Sequence, residues 1–289
     1  MIIQVENLVK KYGELTAVDD ISFAVAEGAL FSFLGTNGAG KSTTINVLTT
    51  LMTQTSGKAL IDGTPIEKAE KIREKIGVVF QDSVLDKKLS VRENLLVRGG
   101  MYGHRGAALK SVVDDVIKMT DIGGYAQRRY EKLSGGQRRR ADIARAIINR
   151  PKLIFMDEPT TGLDPKTRQD IWDCIRNLQK QHNMTVFLTT HYMEEASDSD
   201  DIVIIHNGKI KAQGTPEALK EAYAFDRVKI ILKDGGRIEE RLEKSTDAIP
   251  IIEKHKNAIE HLEVISGTLD DVFINLAREE EANNAAINR

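Results

Sequence analysis

The sequence predicts an α/β fold, a core of apolar strands interrupted by a helical insert and then resumed, with a small C-terminal α+β domain. Three observations carry this. "ALFSFLG", "KLIFMDE" and "TVFLTTH" are unbroken apolar runs, the pattern of central parallel strands covered on both faces. From Ser90 to Arg150 the period becomes helical, with Leu95, Val112, Val113, Val116 and Ile117 as inward positions and no strand run among them. After about Tyr223 a second small unit begins, in which "RVKIILKDGGRIEERL" reads as a hairpin turning at Gly235-Gly236, followed by two short helices and a strand.

The remaining elements follow in order. "IIQVENLVKKYG" and "DDISFAVAEG" read as strands, and "ALFSFLG" ends at Gly35 before a helix that starts in "KSTTINVLTTLM". "GKALIDG" and "KIGVVFQ" are short strands bounded by turn residues. "PKTRQDIWDCIRNLQK" places Ile171, Trp172, Ile175 and Leu178 at helical spacing, with Trp172 read as core. "DIVIIHNGKIKAQG" is a hairpin, Asn207-Gly208 supplying the positive backbone angles of a tight turn. The expected divisions are 1–222 for the main domain, with the helical insert at about 82–150, then 225–280 for the small domain. The polar stretch at 281–289 is expected to fray.

A chain of 289 residues is long enough for one large domain or two smaller ones, and 41% hydrophobic residues can build a real core. A net charge of −2 argues against the broad basic surface of a nucleic-acid binder, so no nucleic-acid partner is expected. The single cysteine, Cys174, excludes an internal disulfide and a thiolate metal cluster, and fits a reducing, cytosolic setting. The N-terminus lacks the basic-then-apolar order of a signal peptide. No apolar run approaches the ~18 residues of a membrane span, so service to a membrane would require another chain to cross it. His255 and His261 fall off a shared helical face and suggest no metal site. Arg138, Arg139 and Arg140 read as a solvated helix face.

Chemistry concentrates at a few short stretches. "GTNGAGKST" comprises Gly35, Thr36, Asn37, Gly38, Ala39, Gly40, Lys41, Ser42 and Thr43, and it stands between a strand and a helix. That is the phosphate-loop pattern in its required context: glycines let backbone N–H groups converge on phosphate oxygens, and the helix N-terminus adds partial positive charge. Lys41 is then the bridge to the β- and γ-phosphates and Ser42 the hydroxyl for Mg²⁺. At the end of "LIFMDE", Asp157 can hold the metal, and Glu158, one residue on, can orient an attacking water. Strand ends are where ligands collect in open parallel sheets. Alone, the pair is equally a surface acidic pair; beside a phosphate loop it reads as catalytic. "LSGGQ" from Leu133 to Gln137 opens a second helix, and Ser134 with the N–H groups of Gly135 and Gly136 again suits a phosphate. Read alone it is an ordinary helix start with Ser134 as cap, a role that holds either way.

Taken together, GTNGAGKS, Gln81 after "KIGVVF", LSGGQ, LIFMDE, TGLD and His191 after "VFLTT" resemble the motif series of ABC-transporter ATPase subunits, over roughly residues 1 to 222. The resemblance implies a P-loop (RecA-like) ATPase core with an antiparallel β subdomain and a helical insert. It implies ATP and Mg²⁺ as ligands, with Tyr12 stacking on adenine, a contact of ~1–3 kcal/mol by analogy with base stacking elsewhere. Gln81 reaches the metal and the water in such proteins, Asp164 signals across a dimer, and His191 touches the γ-phosphate and supports Glu158. Thr161 stands where serine is usual and Thr36 where many relatives have proline. Two such subunits pair head-to-tail, each LSGGQ turn with Gln137 capping the other's ATP across a two-fold interface. The implied partners are a second ATPase subunit, most simply another copy, and a separate integral-membrane permease whose cytoplasmic helix meets the surface around Gln81 and "DSVLDKKLSVREN". The implied location is cytoplasmic, peripheral on the inner face of the membrane. "LTTHYMEEA", "LDKKLSVRENL" and "TLDDVFINLAREEE" resemble the drug-resistance and sodium-efflux exporters. The alternative is an ABC ATPase that acts on ribosomes or chromosomes. The ribosomal kind carries two cassettes on one chain and the chromosomal kind long coiled coils, neither of which this chain has. A kinase or GTPase leaves LSGGQ and His191 unexplained.

Overall fold

In the computed structural model, which describes residues 1–287 and side chains through 278, the main sheet is built around β3 (Leu30–Leu34), whose five residues are all buried. Two strands precede it, β1 (Ile3–Tyr12) and β2 (Leu15–Val25). Gly13, at φ 56°, closes their hairpin by pairing Tyr12 with Leu15, so β2 begins four residues before the Asp19 suggested by its apolar run. After β3 come α1 (Lys41–Leu48), β4 (Ser56–Ile61), β5 (Thr64–Pro65), α2 (Ala69–Lys75) and β6 (Ile76–Val79). The first sheet, in the order β2-β1-β4-β5, is antiparallel.

The helical insert follows as α3 (Val91–Met101), α4 (Gly106–Met119) and α5 (Gly135–Ala146). Ser90 starts α3 with a capping box, its hydroxyl accepting the Glu93 N–H while the Glu93 carboxylate accepts the Ser90 N–H. Leu95, Val113, Val116 and Ile117 are buried, with Val112 partly so, as their spacing predicts. The sheet then resumes with β7 (Leu153–Asp157), α6 (Pro165–His182), β8 (Thr185–Thr190) and β9 (Asp201–His206). Strands β9, β3, β8, β7 and β6 lie side by side in that order, all parallel. At Asn207-Gly208, both at positive φ, β9 turns into the hairpin strand β10 (Lys209–Gly214).

Period-2 alternation explains why these strands are apolar throughout. On β7 and β8, Ile154, Met156, Val186 and Leu188 face the core shared with the helical insert, while Leu153, Phe155 and Phe187 face the core shared with the antiparallel sheet. Five rings lock the second core: Phe187 lies 5.1 to 6.1 Å, centroid to centroid, from Phe31, Phe33, Phe155 and Phe23. Trp172 is buried in the first core, as its spacing predicts.

The described chain divides into two compact units, Met1–His191 with Ser199–Ile210, and Tyr192–Asp198 with Lys211–Arg289. The second unit thus gathers α7 (Pro216–Tyr223) and the short 3-10 turn Met193–Asp198, upstream of the boundary that composition suggests, because both pack against the last helix. Its antiparallel sheet has the order β12-β11-β13, from β11 (Asp226–Leu232), β12 (Arg237–Leu242) and β13 (Ile259–Ile265). The expected hairpin is present, with Gly235 at φ 85° in its turn, and α8 (Ala248–His255) covers a small core of Val228, Ile230, Leu242 and Ala248. The final helix, α9, is Leu269–Ile287; the fraying tail expected over 281–289 lies outside the residues whose side chains are described. Among the described residues no helix is long and apolar enough to cross a membrane.

Phe187 is fully buried at the centre of the ring cluster. Phe187→Ala should therefore cost about 3–5 kcal/mol of stability, read as a lower urea midpoint; an unchanged midpoint would contradict the packing described.

Candidate functional site

Parallel strands β3, β7 and β8 end side by side, so whatever follows each of them meets at one edge. After β3 comes the loop 35–40, which enters α1 through Gly40 in a left-handed conformation (φ 109°). No side chain fits at Gly35 or Gly40. A Cβ at Gly35 would lie 2.4 Å from the carbonyl oxygen of Ile205, and one at Gly40 would lie 2.6 Å from that of Ala17. Gly38 also has positive φ, and Ala39 is buried, its N–H donating to the Thr36 carbonyl. The result is a cradle of backbone N–H groups at a helix N-terminus, which suits an anion.

Lys41 opens α1 and is only 4% exposed. Its Nζ donates to the carbonyls of Gly35 (2.8 Å) and Thr36 (3.1 Å) and lies 3.6 Å from Glu158 Oε1. Burial pulls its pKa below the usual lysine range, and Glu158 beside it pulls the other way. Threonine at position 36 contributes its carbonyl, which accepts from Lys41 and from the Ala39 N–H.

Glu158 follows β7 at φ 45°, a left-handed conformation that costs a side-chain-bearing residue of order 1–3 kcal/mol. Its N–H is held by Thr189 on β8, through the hydroxyl (3.1 Å) and the carbonyl (3.2 Å). The same hydroxyl donates to Asp157 Oδ1 (2.6 Å), to which Ser42 Oγ also donates (3.2 Å). Glu158 Oε2 accepts from the Thr161 hydroxyl (3.0 Å) and lies 3.3 Å from His191 Nδ1. The structure therefore brings together Lys41, Ser42, Asp157, Glu158 and His191, all named from the sequence. Thr189 joins them unannounced; its signal is a hydroxyl pair, Thr189-Thr190, inside an otherwise apolar strand.

The other predicted residues stand apart from this cluster. Tyr12 is 43% exposed at the end of β1; its hydroxyl donates to Met52 Sδ (2.8 Å) and Lys10 Nζ lies 5.1 Å from its ring centre. Gln81, exposed, follows β6 and lines a cleft of about 510 Å³ with Tyr130, Gly135, Arg139, Thr161 and Leu163. Ser134 caps α5 in a capping box: its hydroxyl accepts the Gln137 N–H (3.3 Å), and Gln137 Oε1 accepts the Ser134 N–H (3.2 Å). Gly136 abuts Thr167, since a Cβ there would come 2.2 Å from the threonine methyl. Asp164 caps α6 and accepts from the Thr167 N–H (3.0 Å) and hydroxyl (2.6 Å), bonds that hold its carboxyl below the usual range. Among the described residues no hydrogen bond or ion pair joins the turn 134–137 to the loop 35–43.

One expectation is overturned. The arginines at 138–140 are not a uniform solvated face: Arg139 is 9% exposed, and its guanidinium donates to the carbonyls of Phe80 (2.7 Å) and Gln81 (3.1 Å). The 3.6-residue period turns position 139 inward with Asp142 while Arg138 stays exposed.

Gly40→Ala should destabilise the chain by more than about 1 kcal/mol and remove binding of a fluorescent nucleotide triphosphate; retained binding would remove the cradle from the site.

Comparison with known proteins agrees with this arrangement. The ABC transporter family model matches residues 18–161. A daunorubicin resistance ATP-binding protein, DrrA3, of Streptomyces coeruleorubidus is 36% identical over 82% of this chain and 75% of its own length. A Nod factor export ATP-binding protein I of Paraburkholderia xenovorans (strain LB400) is 41% identical over 75% of this chain and 72% of its own. Among solved structures, the ATP-binding cassette MJ0796, a dimer in a post-hydrolysis state bound to ADP and Pi, superposes with a TM-score of 0.66 at 30% identity, covering 74% of this chain and 98% of that one. CbiO1 from Clostridium perfringens, part of the ABC transporter complex cbiONQ, gives 0.70 at 30% identity over 75% of this chain and 90% of that one.

Proposed function

The chain belongs to the ABC transporter family, as one of its ATP-binding proteins, and from that premise we propose that it hydrolyses ATP to drive export through a separate membrane permease. The observation that carries the chemistry is the meeting of Lys41, Asp157, Glu158 and His191 beside a loop in which Gly35 and Gly40 leave no room for a side chain.

The residues fit a triphosphate and its metal. Lys41 exchanges the carbonyls of Gly35 and Thr36, and Glu158, for phosphate oxygens, with the N–H groups of the loop around them. Ser42 and Asp157, already sharing a hydrogen bond, would hold Mg²⁺ with Gln81; the ion would neutralise charge on the β- and γ-phosphates. Once Lys41 has turned to phosphate, Glu158 is left to accept a proton from the attacking water, in line with the γ-phosphate. His191 and Thr161 fix its carboxylate, while Thr189 fixes the backbone that carries it.

The turn at Ser134 has its capping bonds internal and makes no hydrogen bond or ion pair with the loop of its own chain among the described residues, which supports a head-to-tail dimer with a second copy. Each turn would then close on the nucleotide held by the other subunit's loop, with Tyr12 stacking on adenine and Asp164 near the two-fold. A groove of about 490 Å³ lined by Leu51, Phe80, Val84, Arg98, Tyr102 and Arg145 supports docking of the permease's cytoplasmic helix. Docking there would put the chain at the inner face of the membrane. Export, rather than uptake, rests on the relatives named for resistance and for Nod factor export.

Glu158→Gln should lower kcat by about 10²–10⁴-fold while ATP binding persists and an ATP-bound dimer accumulates on gel filtration. Turnover near the wild-type rate would remove Glu158 as the base. Val84 is 58% exposed in the docking groove. Val84→Asp should leave ATP hydrolysis by the isolated chain intact and abolish co-purification of a membrane protein from detergent extracts, and unchanged co-purification would relocate the docking surface.

A further inference from the structure

Three charged side chains on the inner face of α5 have no part in the chemistry above. Arg139, Asp142 and Arg145 are 9%, 5% and 7% exposed, and they recur every three residues along one side of the helix. Burying charge is costly unless each group is matched by a partner, so such a cluster calls for a reason. Their hydrogen-bond partners lie on β6, on the chain between β6 and α3, or just before α5. Arg145 donates to the Val78 carbonyl, and Arg139 to the carbonyls of Phe80 (2.7 Å) and Gln81 (3.1 Å). Asp142 Oδ1 accepts from the Ser83 hydroxyl (2.5 Å), and Tyr130 donates to Asp142 Oδ2 (3.2 Å). Ser83 in turn accepts the Leu85 N–H (3.2 Å). The segment 78–83 is thus hooked to one helix at four points.

The charges are interdependent. Burial pulls the Arg139 guanidinium below the usual arginine range, and the first influence opposing that is Asp142. Burial likewise pushes the Asp142 carboxyl up, and Ser83 and Arg139 draw it back. Each charge is offset in part by the other and in part by its own hydrogen bonds, Arg139 to two carbonyls and Asp142 to Ser83 and Tyr130.

The two ends of this arrangement face different nucleotides. Gln81 sits on the hooked segment and serves the nucleotide of its own chain; the turn Ser134-Gly135-Gly136, which starts the same helix, serves the nucleotide of the second copy. We propose that Arg139 and Asp142 are positioning residues that make the Gln81 segment and the Ser134 turn one rigid body, so that occupancy of one nucleotide site sets the geometry of the other. This rests on the dimeric ATPase reading above. Neither residue touches nucleotide: Arg139 acts through two carbonyls, and Asp142 through Ser83 and through the charge of Arg139.

The test pairs a kinetic readout with a distance that needs no turnover. Arg139→Gln removes the two-pronged donor. It should lower kcat by about 10- to 100-fold with KM for ATP within about twofold, since the loop 35–43 and Tyr12 are untouched; Arg139→Lys should recover part of the rate. In a Cys174→Ala background, spin labels at Asp82→Cys and Arg138→Cys should give one narrow distance distribution with or without ATP. In Arg139→Gln the same labels should give a broadened one. A narrow distribution together with wild-type kcat in Arg139→Gln overturns the proposal. Should that variant not fold, Ser83→Ala removes a single hook and is read in the same way, with the same result overturning it. A wild-type chain that hydrolyses no ATP would count against the ATPase reading, and the label distances would still decide whether the clamp exists.

Discussion

A lysine ammonium withdrawn almost wholly from water must find negative charge or oxygen atoms nearby, and the site is arranged around that need. Lys41 has two carbonyl oxygens of its own loop and the Glu158 carboxylate within reach. None of these is as good a partner as a polyphosphate would be, because carbonyls carry only partial charge and the carboxylate sits at 3.6 Å. Burial lowers the pKa of Lys41, so an incoming anion strengthens a charge the fold has made expensive to keep. On the function proposed above, Glu158 is occupied until that exchange happens, which would link binding and readiness for chemistry through one side chain.

The precision of that arrangement is supplied by strands. Register pairs Asp157 with Thr189 across β7 and β8, and the Thr189 hydroxyl binds both Asp157 and the N–H of Glu158. A one-residue slip would turn these groups into the sheet, and the ring cluster around Phe187 beneath them makes any slip costly. The left-handed backbone at Glu158 is strain tolerated because its N–H donates to both the hydroxyl and the carbonyl of Thr189. Core packing and site geometry are consequences of the same pairing.

Helix α5 has a different task. Its first turn is polar and partly exposed, with Ser134 and Gln137 satisfying one another through a capping box. Its inner face carries charges where a helix of this kind would ordinarily carry aliphatic groups, and its two buried arginines bind backbone carbonyls. Backbone carbonyls are fixed in number and place, so a helix that grips them holds the path of a neighbouring segment and not merely its proximity.

The sequence by itself determined the order of elements, the two-sided burial of the strands, the helical insert and the C-terminal hairpin, because periodicity and turn residues are local properties. It also singled out Lys41 and Ser42 by the glycine loop that opens α1, Asp157 and Glu158 by the end of an apolar strand, and His191 by its place in the motif series. What only the tertiary structure decided was which polar groups meet across the sheet and across the insert. Thr189 is an ordinary strand threonine until β8 pairs with β7, and Arg139 belongs to an ordinary basic triplet until the segment after β6 covers it. Hydrogen bonds between residues 32 or 59 positions apart in the chain leave no periodic trace, and charge in a sequence looks solvated until a fold encloses it.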